Sequence, residues 1–564
     1  MRAPAGRVGP GKALLTALVA ILLTGCAGLP TAGPVGQGDG AVDVPGTVFP
    51  LAYSPAADAD PQSIVQGFLA AGAAGLSDNF AVARQYLAGA AQASWQPAEG
   101  VVVYSVVGAL TFQQVTDTQI SVTLPVVATV DADGRYAEGS PGAQQDAAFD
   151  LLKNNAGQWR ISGLNDGVLL SEPIFYTVYR ATPLYFLTPA RDLLVPEMRW
   201  FPQRNTATYA VRALLAGPSP WLRDAVTTAF PEGTRLAVEA VPVDADGVAT
   251  VDLTVAVASA DGAGRALLKA QLSHVLEPAG VRSVDVSIAG LPMPEPAAAN
   301  VPSDPVPPGG LEVLSGGQLQ RLSGAALKPV ETVGSIVGLD PRSPAVGADG
   351  DLQVLLAGPD TLVVAPTPTT PARTLLTGSA LLPPSVDRLG WVWSGPSAGD
   401  GKLVVVQADG TMVRVGADWL EGRTVRSIRV SRDGTRIAVA SSGADGPTID
   451  VAGVVRDQAG TPQRLGDQVR VGERMTSSTQ IVWVDESTLA VLGTSGAMTG
   501  PTMHLVPVTG RTRALPALEG ATSIAAGRGE RALYLAGSDG ELHTLQGTSW
   551  VGVAASIQFP TYPG

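Results

Sequence analysis

The last 250 or so residues of this chain repeat one theme, and that repeat limits the possible folds more than any other feature. Short apolar strands alternate with Asp-Gly turns at Asp349-Gly350, Asp409-Gly410, Asp433-Gly434 and Asp539-Gly540. Glycine there accepts the positive φ that a tight hairpin demands. Units beginning near residues 341, 387, 427, 481 and 521 recur at roughly 35–55 residues, the period of propeller blades. A β-sandwich array also uses short strands, but one unit repeated over about 250 residues fits radial closure better. We expect a β-propeller of five or six blades over residues 311–564, closed by its terminal strands. Leu389-Gly390-Trp391-Val392-Trp393 and Ile481-Val482-Trp483-Val484 read as the same position in two blades. Trp391, Trp393 and Trp483 are therefore expected in blade cores.

Upstream the patterning changes. Asp60-Pro61 opens a helix, with Asp as cap and Pro at the first helical position. Ile64, Val65, Phe68 and Leu69 follow at helical spacing, and a second helix is expected from Asp78 with Phe80, Ala83, Tyr86 and Leu87 on one face. Strand-like runs come next at Val101–Val107, Leu110–Val115, Gln119–Val130 and Trp159–Ile161. Helices followed by an antiparallel meander make residues 56–180 an α+β domain of the cone-shaped NTF2-like kind. Residues 181–292 form a second α+β unit. It comprises a hairpin around Ala190-Arg191-Asp192, a helix from Thr208 to Leu215 and strands Leu236–Val243 and Val248–Val255. A helix near Arg265–Leu276 and a strand Ser283–Ile288 complete it. Between Pro292 and Gly310 lie seven prolines and almost no large apolar side chains. Residues 293–310 are accordingly expected as an extended, protease-sensitive linker.

The N-terminus carries a different signal. Arg2, Arg7 and Lys12 precede an apolar run from Ala13 to Leu23, which ends in Thr24-Gly25-Cys26. The run is about half the length that spans a bilayer. Cys26 is the sole cysteine of 564 residues, so no internal disulfide is possible and burial alone must hold the fold. The segment resembles a bacterial lipoprotein signal, the alternative being an ordinary signal peptide with a chance cysteine. That resemblance implies removal of residues 1–25, lipidation of Cys26 and a lipid-anchored chain outside the cytoplasm. Residues 26–55, rich in Gly, Pro and Ala, read as a flexible tether.

The formal net charge is −13, more negative still once the three basic residues of the signal are removed. Such a surface repels phosphate backbones, so nucleic acid is not an expected partner. Nor does it attract anionic lipid, which leaves the acyl anchor as the membrane link.

Two further resemblances rest on particular residues. Leu214-Leu215-Ala216-Gly217-Pro218, Phe230-Pro231-Glu232-Gly233-Thr234 and Val251-Asp252-Leu253 resemble the GerMN domain, an α+β envelope module without known catalytic residues. The complete order of lipobox, α+β domain, GerMN-like domain, Pro-rich segment and propeller resembles the actinobacterial LpqB lipoproteins. The LpqB resemblance implies a non-enzymatic partner of a membrane sensor histidine kinase ectodomain, of the MtrA–MtrB type. It connects the chain with envelope homeostasis and cell division. The competing reading is an envelope glycan-binding or glycan-modifying protein that uses the propeller groove.

Signs of catalysis are sparse. His274, His504 and His543 lack metal-ligand spacing, and the only thiol is the lipidation residue. Asp131, Asp133 and Gly134 lack the distal Glu of a calcium loop, as do Asp244, Asp246 and Gly247, so both read as hairpin turns. Gly395–Lys402 fails the phosphate-loop spacing, and no GxSxG elbow occurs. We expect no cofactor, no metal and no catalytic set, with Cys26 as the one assigned site. Tyr176, Tyr179, Tyr185, Phe186 and Trp200 gather where the first two domains meet. They read as interdomain core first and as a binding groove second.

Overall fold

The computed structural model describes residues 51–564 except 109, 307, 308, 325, 399, 400, 497 and 499. The signal segment, Cys26 and the tether up to residue 50 lie outside the described residues. None of the described helices is long and apolar enough to cross a membrane.

Helix α1 (Pro61–Asp78) starts as the sequence dictates. The Asp60 carboxylate accepts the Ser63 N–H at 2.7 Å, and Pro61 occupies the first turn. Ile64, Val65, Phe68 and Leu69 are buried. The second helix expected from Asp78 does not form. Asn79 and Phe80 both adopt left-handed backbone (φ 55° and 61°), which ends α1 and throws Phe80 back onto it. The ring fills the space beside Gly75, where a Cβ would lie 2.0 Å away. Only a 3₁₀ turn at Ala83–Tyr86 and the short α2 (Ala90–Ser94) follow.

The sheet of this domain has seven strands: β1 (Gly100–Tyr104), β2 (Thr111–Thr116), β3 (Gln119–Asp131), β4 (Tyr136–Glu138), β5 (Gln144–Lys153), β6 (Trp159–Gly163) and β7 (Val168–Ser171). Its order is β6-β5-β3-β1-β7, with β2 and β4 also on β3. The long β3 pairs with β2 and β5 through its first half and with β1 and β4 through its second. All pairs are antiparallel except β1–β7. Phe68 of α1 meets Trp95 and Phe149 edge-on, at 5.2 and 6.1 Å. Helix α3 (Glu172–Val178) leads into the next domain.

That domain opens with a hairpin of two nine-residue strands, β8 (Tyr179–Leu187) and β9 (Leu194–Pro202). Helices α4 (Thr206–Ala216) and α5 (Pro220–Arg223) follow. Then come β10 (Val248–Leu253), α6 (Gly262–Leu276), β11 (Ser283–Ile288), parallel to β10, and the two-residue β12 (Leu291–Pro292). The strand expected at 236–243 is broken. It touches β10 only at Leu236–Leu253 and Val243–Ala249. Pro242 cannot donate to a ladder, and Arg212 draws the Glu239 carbonyl aside at 3.1 Å.

The remainder is a propeller of six four-stranded blades among the described residues. Blades 2 to 6 span residues 341–377, 385–416, 424–471, 475–514 and 521–554. Blades 3 and 4 are joined by the bridges Gly416 to Arg464 and Ala398 to Thr424. Blade 1 takes three strands from residues 312–329 and its fourth from Gln558–Thr561, where Glu312 pairs with Thr561. This is the expected closure, at the upper of the two expected counts.

The proline-rich segment is no free spacer. Met293 and Val301 are buried, and the Leu194 N–H donates to the Pro302 carbonyl at 2.9 Å. Buried Asp304 pairs with Arg432 (3.2 Å) and Arg528 (2.9 Å) of the propeller. The second domain and the propeller also share one apolar core, in which Trp221, Leu222 and Phe230 are continuous with Ala438, Ile449, Val451 and Trp483. The described residues from 51 to 564 therefore form one compact unit.

Candidate binding site at the three-domain junction

Polar networks lock the middle domain to both neighbours. On its N-terminal side the Glu197–Arg199 pair is fully buried (2.9 Å). Arg199 also donates to the Gly217 carbonyl (3.1 Å), and Glu197 accepts the Ser219 N–H (2.8 Å). Arg135 of the first domain reaches the Ser219 hydroxyl at 2.8 Å. A buried pair so satisfied is costly to break, because either partner alone is an uncompensated charge.

On the propeller side the turn Ser431–Arg436 does the same. The buried Asp433 carboxylate accepts from Ser431 Oγ (2.9 Å), the Thr435 N–H (2.8 Å) and the Arg436 guanidinium. Burial raises the pKa of Asp433, but the Arg436 charge and these donors outweigh it and hold the group below the usual carboxylate range. Arg436 also donates to the Glu486 carbonyl (2.6 Å) and covers the Trp483 ring at 5.2 Å. The Glu486 side chain accepts the Tyr185 hydroxyl (2.6 Å), and burial pushes its pKa up.

The first domain touches blade 5 as well. Glu138 accepts from Thr512 N–H (2.9 Å) and Thr512 Oγ1 (2.7 Å) and pairs with Arg474 (3.3 Å). Glu172 pairs with Arg511. Where these contacts converge an apolar cleft of about 460 Å³ stays open, lined chiefly by Tyr176, Met198, Trp200, Pro507, Thr509 and Arg511. The Trp200 indole is fixed by the Thr509 carbonyl at 3.3 Å. Tyr176 packs edge-on against Trp200 (5.5 Å) and is 36% exposed. Burial raises the pKa of its hydroxyl. Among the described residues the buried Thr509 hydroxyl has no hydrogen-bond partner. Tyr, Trp, Met and Arg are the residues enriched in interface cores, and fixed aromatic rings bind with little entropy loss.

The five aromatics singled out in the sequence therefore divide. Tyr179 stacks on Phe175 (5.1 Å, 19°) and is core. Phe186 is fully buried, and Tyr185 serves the propeller contact. Tyr176 and Trp200 line the cleft. Met198, Pro507 and Arg511 carry no local signal that sequence reading could use, since they meet only through the tertiary fold.

The other candidates are structural. His274 Nδ1 bonds the Ala270 carbonyl one turn back (3.0 Å). Buried His504 lies between the Thr502 carbonyl (2.9 Å) and Ser495 Oγ (2.8 Å), and burial lowers its pKa. His543 sits on a strand of blade 6. Asp131 and Asp244 accept the N–H groups of their own turns, and no acid, His or Cys cluster among the described residues could hold a metal. Trp391, Trp393 and Trp483 are buried, but Trp393 and Trp483 are not equivalent. Trp393 lies on the second strand of blade 3 and donates to Asp387 (2.9 Å), whereas Trp483 ends the first strand of blade 5. Similar Trp-Val spacing on either side of a hairpin turn accounts for the mistaken match. Cys26 lies outside the described residues.

Three family models match the chain: the lipoprotein LpqB N-terminal domain over residues 54–176, a sporulation and spore germination domain over 183–293, and the lipoprotein LpqB beta-propeller domain over 317–563. Lipoprotein LpqB of Thermobifida fusca is 35% identical over 266 residues, 44% of this chain and 41% of that protein, less than half of the relative's own length. Lipoprotein LpqB of Cutibacterium acnes is 30% identical over 466 residues, 75% of each chain. Virginiamycin B lyase from Staphylococcus aureus overlays at a TM-score of 0.30 with 13% identity, over 45% of this chain and 86% of the lyase, a likeness too slight to bear on function.

Proposed function

Because the chain belongs to the lipoprotein LpqB family, we propose that it is a non-enzymatic binding and regulatory partner of a membrane sensor histidine kinase of the MtrA–MtrB type. It is held at the extracytoplasmic face of the membrane by lipid on Cys26 and acts on envelope homeostasis and cell division. The observation that carries this reading is the junction cleft. Tyr176, Met198 and Trp200 are presented on a body whose three domains cannot shift independently, which suits capture of an apolar segment of another protein.

The tether supports the same reading. The Gly-, Pro- and Ala-rich composition of residues 26–55 is that of a linker, and a linker of that length would reach roughly 30 Å at 5–6 Å × √n. The cleft is thereby confined to a thin layer above the membrane, where the effective concentration of a neighbouring ectodomain is high and moderate affinity suffices. The propeller axis favours binding over glycan hydrolysis. No Asp or Glu side chain is among the described residues that line its cavity, whereas glycosidases place two such carboxyl groups about 5–10 Å apart.

Calorimetry with residues 51–564 and a purified sensor-kinase ectodomain tests the proposal. We expect micromolar affinity or better, weakened at least tenfold by Tyr176→Ala or Met198→Asp with the melting temperature unchanged. No binding, together with hydrolysis of a cell-wall glycan, would overturn it.

A further inference from the structure

The first domain holds a second opening, which shares no residue with the junction cleft. Its volume is about 290 Å³, at the small end of ligand sites. Phe68, Val101, Val130, Ala147, Phe149 and Val168 line it. All six are buried, and they come from α1, β1, β3, β5 and β7. Glu99 and Asp166 also line the cavity, and both are exposed. They stand on neighbouring segments, since the Gln96 N–H donates to Asp166 Oδ1 (2.7 Å) and the Gly167 N–H to the Gln96 carbonyl (2.8 Å). Asp166 accepts that one N–H, and Glu99 has no hydrogen-bond or ionic partner among the described residues. Elsewhere in this domain Glu138 and Glu172 are each met by an arginine. Here none answers the two acids. The other polar residues of the lining, Thr129, Gln145 and Asn165, are uncharged, and no Lys, Arg or His is among the described residues that line the cavity.

We propose that this cavity is a binding site for a small organic ammonium ion, with the apolar body against Phe68 and Phe149 and the ammonium group between Glu99 and Asp166. The buried wall supplies the affinity, because it removes the apolar body from water and offers two aromatic rings to pack on. The acids supply the sign of the selectivity. An ammonium group has three donors to share between two carboxylates, and at an exposed mouth it keeps its remaining contact with water. An anion of the same shape would meet two like charges instead. The site does not depend on the reading of the chain as a kinase partner.

Three probes of one shape and different charge test it: phenethylammonium, 2-phenylethanol and phenylacetate, titrated calorimetrically into the intact chain. Phenethylammonium should bind with a Kd of about 1 mM or better, the alcohol more weakly and phenylacetate not measurably. Glu99→Gln should weaken phenethylammonium about two- to fivefold, the scale of an exposed ion pair, and leave the alcohol unchanged. Ala147→Leu fills the cavity and should weaken phenethylammonium and the alcohol at least tenfold. If that variant does not fold, the order of the three probes and the Glu99→Gln measurement still decide. No binding of phenethylammonium, or phenylacetate binding as tightly, would overturn the proposal. So would full affinity in Ala147→Leu, which would mean that the cation merely condenses on an acidic surface.

Discussion

The contact between α5 and blade 4 can be tested with one methyl group. A Cβ at Gly453 would lie 2.8 Å from the Ala225 Cβ and 2.9 Å from the Trp221 carbonyl oxygen, and at Gly466 it would lie 3.0 Å from the same oxygen. These atoms are backbone or Cβ and cannot swing aside. Neither glycine has positive φ, and both lie in strands of blade 4. For the strand alone, alanine would therefore be better than glycine, by roughly 0.5–1 kcal/mol of backbone entropy. Docking reverses the sign, because overpacking of this kind costs about 1–3 kcal/mol. The expected net effect of Gly453→Ala in the full chain is a loss of about 1–2 kcal/mol. At 2–4 °C per kcal/mol the melting temperature should fall by about 2–8 °C in differential scanning calorimetry. Limited proteolysis should show new cleavage around residues 217–224. An unchanged or higher melting temperature would mean that strand entropy governs the site and that α5 does not press on blade 4 in solution.

Three further outcomes are expected. Asp433→Ala strands the buried Arg436 and should cost about 3–5 kcal/mol; a loss below about 1 kcal/mol in denaturant titration would refute the role of that turn. The folded-state pKa of Glu486 is raised, so its contribution is complete below the ordinary carboxylate value and is lost as pH rises through the folded value. Glu486→Gln should thus flatten the fall in melting temperature across weakly acidic pH, and a profile parallel to the unmodified chain's would exclude the effect. Cys26→Ala should remain unlipidated and leave the membrane fraction, whereas membrane fractionation like the unmodified chain's would rule out the lipid anchor.

Local signals were read well and distant ones poorly. The Asp60 cap, the Ser283–Ile288 strand and the positive φ of Gly434 (76°) depend on a few adjacent residues. Strand β5 escaped notice because Gln144, Gln145, Asp146 and Asp150 lower its β-propensity. Its signal was the alternation of Ala147, Phe149 and Leu151, all buried. The helix expected after Asp78 failed on two left-handed residues that an apolar spacing does not reveal. The prolines agree with the lack of helices and extended strands among the described residues of 293–310, yet proline content says nothing of exposure. Asp304 is held by arginines more than 100 residues away. The cleft was least legible, since Tyr176, Trp200 and Arg511 belong to three domains and share no local pattern.

The closing strand of blade 1 also sets the order of events when the protein is made. Glu312 waits for Thr561, about 250 residues later, which at 5–20 residues per second is roughly 12–50 s of synthesis. Throughout that interval the three strands at 312–329 present an open edge, the kind of template on which other chains add strands. The two domains ahead of the propeller have no such delay and can pack first. Because the middle domain shares its core with blades 4 and 5, it offers a folded surface on which later blades assemble before the ring is complete. A break in that shared core would then show first as aggregation during folding, and only afterwards as lost stability of the finished protein.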